Sequence, residues 1–134
     1  MTANVTYSGD LRCTLTHQAS GETVISDAPV DNHGKGQAFS PTDMVAASLA
    51  SCMLTVMGIY AESKQIDMNG ATASVKKTMA SNPRRISRVE VDIRLPQHIE
   101  PSLRGRLEEI GRNCPVAKSL HPELEQVVTF SWDL

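Results

Sequence analysis

The apolar positions along the chain fall into short alternating stretches, one long run apolar on every side, and a second alternating region interrupted by an amphipathic segment. Residues 4–8 alternate weakly. Residues 11–17 place Leu11, Cys13 and Leu15 on one side and Arg12, Thr14 and Thr16 on the other, the period-two pattern of a half-buried strand. Gly9 and Asp10 supply a turn between these stretches, and Ser20 with Gly21 leads into a third strand over residues 23–26. The expected unit is a meander of three short antiparallel strands. Residues 31–37 follow with Asp31, Asn32, Gly34, Lys35 and Gly36, a loop composition in a place where function often resides.

A helix then has a clear start. Ser40 stands at the N-cap position, Pro41 takes the first helical place where its missing N–H costs nothing, and Asp43 puts a carboxylate in the positive first turn. From Met44 through Val45, Leu49, Cys52, Met53, Val56, Met57, Ile59 and Tyr60 the pattern is apolar on nearly every face, and a helix of that kind is expected to be covered all round. Only residues 62–65 turn to solvent, and Asn69-Gly70 ends the connection. Residues 72–79 and 87–95 read as a hairpin turned by Ser81, Asn82 and Pro83. From Glu100 or Pro101 to Arg112, the spacing of Leu103, Leu107 and Ile110 predicts an amphipathic helix, weakened near its end by Gly111. Asn113-Cys114-Pro115 opens another helix that runs to about Leu120, and residues 127–132 close the chain as a strand.

Composition narrows the class. A chain of 134 residues, 40% hydrophobic but only 4% aromatic, is expected to form one domain over residues 1–134 with an aliphatic, methionine-filled core. The net charge of −2 offers no global field for nucleic acid or an anionic membrane. Lys76, Lys77, Arg84, Arg85, Arg88 and Arg94 form a local basic cluster, read as the solvated face of the hairpin. Residues 44–61 reach the length of a membrane span, yet Ser48, Ser51, Thr55 and Gly58 among alanines, with Asp43 and Glu62 as flanks, favour a buried helix of a soluble protein. The N-terminal ten residues carry neither a basic head nor an apolar run, so a cytoplasmic protein with reduced cysteines is expected.

The three cysteines hold the candidate chemistry. Cys13 shares a strand face with Leu15 and reads as a small buried hydrophobe. Cys52, in the middle of the apolar run, reads from composition alone as filler too. Cys114 stands at a helix start, where free N–H groups and the dipole favour thiolate, so it reads equally as a reactive thiol or as a cap. Metal binding is disfavoured: on a strand, Cys13 and His17 lie about 13 Å apart, too far to share an ion. No GxSxG is present for a serine hydrolase, and no cofactor is expected.

The segment Ser40-Pro41-Thr42-Asp43-Met44-Val45-Ala46-Ala47-Ser48-Leu49-Ala50-Ser51-Cys52 resembles the central motif of the OsmC and organic hydroperoxide resistance family, and Cys114-Pro115-Val116-Ala117-Lys118-Ser119-Leu120 resembles its second motif. The resemblance, closer to the OsmC-like branch, covers essentially the whole chain. It implies an α+β fold with antiparallel sheets wrapped around a long central buried helix in an intertwined homodimer, and a thiol peroxidase with Cys52 peroxidatic and Cys114 resolving, reduced by an external dithiol of lipoyl type. The family's peroxidases also use an arginine and a glutamate directly after the motif's proline. Thr42 stands at that glutamate's place here, with the acidic residue Asp43 one step on, and Arg12 is the candidate for the arginine. The missing glutamate motivates a second hypothesis, a dimeric protein on the same scaffold that binds a small apolar or thiol-bearing ligand without turnover. Either way, an 18-residue run apolar on every face is more than a chain of this size easily covers, so a second copy is the expected cover.

Overall fold

A computed structural model describes all residues 1–134, in two compact units, Met1–Val45 and Ala46–Leu134. In the first unit, β1 (Ala3–Gly9), β2 (Arg12–His17) and β3 (Thr23–Asp27) form the expected antiparallel meander in that order. The β1–β2 turn needs left-handed backbone at three successive residues, Gly9, Asp10 and Leu11, so Leu11 belongs to the turn and not to the β2 face predicted for it. Cross-strand pairs Val5 with Leu15, Tyr7 with Cys13 and Leu15 with Val24 gather one apolar face of this sheet. That face is largely bare: Val5 is 61% and Tyr7 65% exposed.

The loop after β3 holds a short 3-10 turn, Val30–Asn32, and folds back over Ala28. Gly34 donates its N–H to the Pro29 carbonyl and Gly36 donates to the Ala28 carbonyl. Any side chain at position 34 would collide with the Ala28 backbone, since a Cβ there would sit 1.6 Å from the carbonyl oxygen. Glycine is therefore a steric requirement of the loop and not only a turn preference.

Helix α1 spans Pro41–Ser63. Its start is a reciprocal capping box: the Asp43 N–H donates to Ser40 Oγ (3.0 Å) and the Ser40 N–H to Asp43 Oδ2 (3.0 Å). In the second unit, Ala46, Leu49, Ala50, Met53, Met57 and Ala61 place one stripe of α1 in the core. The opposite stripe, Ser51, Thr55 and Ile59, is exposed, with Ile59 at 63%, so the expected all-round cover is not supplied by the chain itself.

The second sheet has the order β4 (Thr72–Ala80), β5 (Arg85–Arg94), β6 (Glu125–Ser131). Central strand β5 alternates fully buried Val89, Val91 and Ile93 with Arg88, Glu90, Asp92 and Arg94 on the outer face. The β4–β5 hairpin is antiparallel as predicted, but β6 runs parallel to β5, which corrects the expectation of purely antiparallel sheets. The connection explains it: parallel strands need a crossover of about a dozen residues or more, and α2 (Pro101–Arg112) and α3 (Pro115–Ser119) provide one.

Helix α2 buries Leu107 and Gly111. A Cβ on Gly111 would lie 2.8 Å from Met57 Sδ, so this glycine lets α2 approach α1 closely. The other side of α2 rests on β6. Arg104 stacks 5.1 Å from the Trp132 ring centre and Arg112 5.0 Å from that of Phe130, while Trp132 Nε1 donates to Glu108 (3.2 Å). Two residues of the basic cluster are in ion pairs and a third is held by backbone carbonyls. Arg88 pairs with Glu90 and Glu125, Arg94 with Asp133, and Arg85 donates to the Ser81 and Pro83 carbonyls.

Candidate thiol site

Cys52 and Cys114 are brought together in the second unit. Cys52 is a half-buried residue midway along α1 that packs against the core, one turn before Val56. Cys114 closes α2 and opens α3. Its N–H donates to the Gly111 carbonyl (3.3 Å) and its carbonyl accepts from Lys118 N–H (3.1 Å), which fixes the backbone on both sides. Both thiols are free, and Cys52 is near enough to Cys114 to act directly on its ionisation.

Cys114 occupies the predicted N-cap, and its Sγ accepts the Ala117 N–H at 3.4 Å. The expected consequence, a thiol biased towards thiolate, does not follow. Burial to 1% exposure removes the water that would solvate a thiolate and pushes the Cys114 thiol above its ordinary value; the Ala117 and Val116 N–H groups pull the other way and lose, and the Cys52 thiol adds to the rise. Cys114 is therefore held as a protonated thiol beside Cys52.

A groove of about 460 Å³ lies between α1 and α2 and has Cys114, but not Cys52, in its lining. Val56 and Ile110 are the apolar residues of its lining, beside Asn113, Arg106 and Glu109, the last two joined by a 3.1 Å ion pair.

The remaining candidates lie in the first unit. Asp43 is engaged in the capping box, so one carboxylate oxygen already accepts a hydrogen bond at the start of α1, and Thr42 Oγ1 lies 3.2 Å from Ser40 Oγ. Cys13 lies on the largely bare apolar sheet face, opposite Tyr7 and Ser26, and is half-buried where a buried residue was expected. Arg12 Nη2 lies 3.5 Å from Asp27 Oδ2 and also donates to Gln37 Oε1. Asp27 is the residue that sequence reasoning missed. It is 1% exposed; its Oδ2 accepts the Gln37 N–H (3.1 Å), while Oδ1 is buried without a hydrogen-bond partner. The Gln37 N–H, aided by the Arg12 charge, holds its carboxyl below the usual range against the opposing effect of burial. The available signal was an acidic residue at a strand end before a glycine-rich loop, a pattern that solvent-facing turns share.

Comparison with known proteins supports the motif reading. Residues 34–127 match the model of the family described as OsmC-like protein, a stretch that includes both cysteine motifs. Among solved structures, the chain is similar to a candidate osmotic stress induced and detoxification response protein from Psychrobacter arcticus. Identity there is 49%, over 97% of this chain and 95% of that one, with a TM-score of 0.93. It shares its fold with an organic hydroperoxide resistance protein OsmC from Legionella pneumophila, at 14% identity over 98% and 97% of the two chains and a TM-score of 0.76. It does so too with the organic hydroperoxide resistance protein OhrB of Bacillus subtilis, at 16% identity over 97% and 98% and a TM-score of 0.70. No curated protein matches the chain. With its family match spanning both cysteine motifs and its fold shared along the whole length, the chain belongs to the OsmC-like family.

Proposed function

We propose that this protein is a cytoplasmic, homodimeric thiol peroxidase that reduces organic hydroperoxides, hydrogen peroxide or both in defence against oxidative stress. The observation that carries the reading is the meeting of Cys52 and Cys114, far apart in sequence and on different elements, in the interior of one unit. The Legionella and Bacillus proteins of the same fold bear organic hydroperoxide resistance in their names, which supplies the substrate class.

In the first step the Cys52 thiolate attacks one peroxide oxygen. The O–O bond breaks, the sulfur keeps that oxygen as sulfenic acid, and the other oxygen takes up a proton and leaves as alcohol or water. The sulfur of Cys114 then attacks Cys52; the S–S bond forms, and the sulfenic oxygen leaves as water with the Cys114 proton. A protonated Cys114 suits this order because it arrives carrying the proton the leaving hydroxyl needs. An external dithiol, of lipoyl type by the family resemblance, returns both sulfurs to thiols. Asp43, fixed at the first turn of α1, is the acidic group assigned to the site in place of a glutamate at Thr42.

The bare stripe of α1 and the bare apolar face of the first sheet support a second copy as their cover. Cys52→Ser is expected to abolish peroxide turnover. Cys114→Ser should still consume one equivalent of peroxide and leave a Cys52 sulfenic acid that dimedone traps. Turnover that survives Cys52→Ser would overturn the reading.

A further inference from the structure

A second cavity in the unit Ala46–Leu134, of about 490 Å³, is lined by the start of β5 with the turn before it and by the segment between α3 and β6. Neither Cys52 nor Cys114 belongs to its lining. The β5 side contributes Arg85 and Ile86, and the segment after α3 contributes His121, Glu123 and Leu124. Its volume is in the range of small-molecule sites. We propose that this cavity binds the zwitterion of a free α-amino acid with an apolar side chain: the carboxylate on Arg85 and His121, the ammonium on Glu123, and the side chain against Ile86 and Leu124.

The polar side chains of this lining are anchored to the backbone and keep bonding capacity to spare. Arg85 Nη1 donates to the Ser81 (3.1 Å) and Pro83 (2.9 Å) carbonyls, which fixes the guanidinium and leaves Nε and Nη2 without a protein acceptor. His121 Nδ1 accepts the Glu123 N–H at 3.1 Å, so the neutral ring carries its proton on Nε2, a donor that no protein atom accepts. Arg85 and Glu123 line one cavity as a cation and an anion, yet neither is in an ion pair. In the groove beside Cys114 the equivalent charges, Arg106 and Glu109, close on each other at 3.1 Å, and Arg88 and Arg94 of β5 are paired as well.

Charge balance selects the ligand class. A dianion such as phosphate would meet the Glu123 carboxylate as well as Arg85, and a simple cation would meet Arg85 as well as Glu123. A ligand with one charge of each sign gives both residues a partner. Its carboxylate presents the planar pair of oxygens that a guanidinium matches, and its ammonium supplies three donors to Glu123. Ile86 and Leu124 are partly buried and packed on the core, so an apolar side chain laid against them leaves water for an apolar surface. A polar side chain gains nothing there.

Calorimetric titration of the full-length reduced protein tests this with three probes of similar size: L-phenylalanine, 3-phenylpropionate, which lacks the ammonium, and 2-phenylethylamine, which lacks the carboxylate. Phenylalanine is expected to saturate one site per chain, and each truncated probe to bind about tenfold more weakly, the worth of a hydrogen bond to a charged group. Glu123→Gln should weaken phenylalanine about tenfold and leave 3-phenylpropionate unchanged, a split that a merely structural role of Glu123 would not produce. Arg85→Gln should weaken phenylalanine and 3-phenylpropionate but not 2-phenylethylamine. Because Arg85 also holds the hairpin turn, the Glu123 variant decides the matter if the Arg85 variant fails to fold. No saturation by phenylalanine at about 10 mM, equal affinity for the three probes, or unchanged phenylalanine binding by Glu123→Gln would overturn the proposal. No peroxide enters these titrations, so their outcome is independent of the peroxidase reading.

Discussion

At the scale of single residues, the balance of burial against hydrogen bonding decides the chemistry. A cysteine at a helix N-cap is expected from its local geometry to be acidic, and Cys114 has that geometry, with Ala117 N–H aimed at its sulfur. Loss of water outweighs the cap, and the thiol is raised. Asp27 shows the opposite balance: it too is buried, but the Gln37 N–H and Arg12 overcome the cost and keep it ionised. A carboxyl lowered on folding stabilises the native state above its unfolded pKa of about 3.9, and that contribution is lost as pH falls through the folded value. Asp27→Asn should therefore lower the melting temperature at pH 7 but approach the parent towards pH 2, a convergence that thermal scans across that range would show. If the gap between the two proteins persists at pH 2, Asp27 does not act through its charge.

At the scale of elements, each start and close approach rests on one or two side chains. The Ser40–Asp43 capping box ties the first turn of α1, and loss of an N-cap costs about 1 kcal/mol. Ser40→Ala should cost about that much by chemical denaturation. Leu107 is the buried anchor of α2, and a Leu→Ala change in a core costs about 2–5 kcal/mol; a value below 1 kcal/mol for Leu107→Ala would contradict its placement. Gly34→Ala should open the loop over Ala28, because the added Cβ meets a backbone oxygen that cannot yield; amide exchange at Gly36 would report it. These local devices were the most legible part of the sequence: the Ser-Pro helix start, the Asn-Pro hairpin turn and the α2 periodicity all stand close to where their residues place them. The parallel direction of β6 was not legible, since a half-buried strand looks alike in either direction and only the crossover decides. The meeting of Cys52 with Cys114 was unreadable from spacing for a different reason: it depends on how closely α2 packs on α1, where Gly111 meets Met57. Motif resemblance, not periodicity, pointed to the pair.

At the scale of the whole molecule, α1 is the element that the chain does not finish covering. By length and composition Pro41–Ser63 could cross a membrane, yet six of its residues lie in the protein core. The stripe left over, Ser51, Thr55 and Ile59, mixes small polar groups with one large apolar side chain, as a helix–helix contact would. A second copy is expected to cover it, so sedimentation at micromolar concentration should give twice the 14.6 kDa chain mass, and Ile59→Glu should shift the protein to single chains or lower its melting point. A single-chain mass for the parent would contradict the dimer without touching the cysteine pair. The central claim, that Cys52 and Cys114 work together on peroxides, is tested most directly by counting thiols after one equivalent of cumene hydroperoxide. Of the three cysteines, two are expected to disappear with an intramolecular disulfide formed between them, leaving Cys13 alone to react with maleimide. Three thiols still titrating after the peroxide has been added would contradict the account.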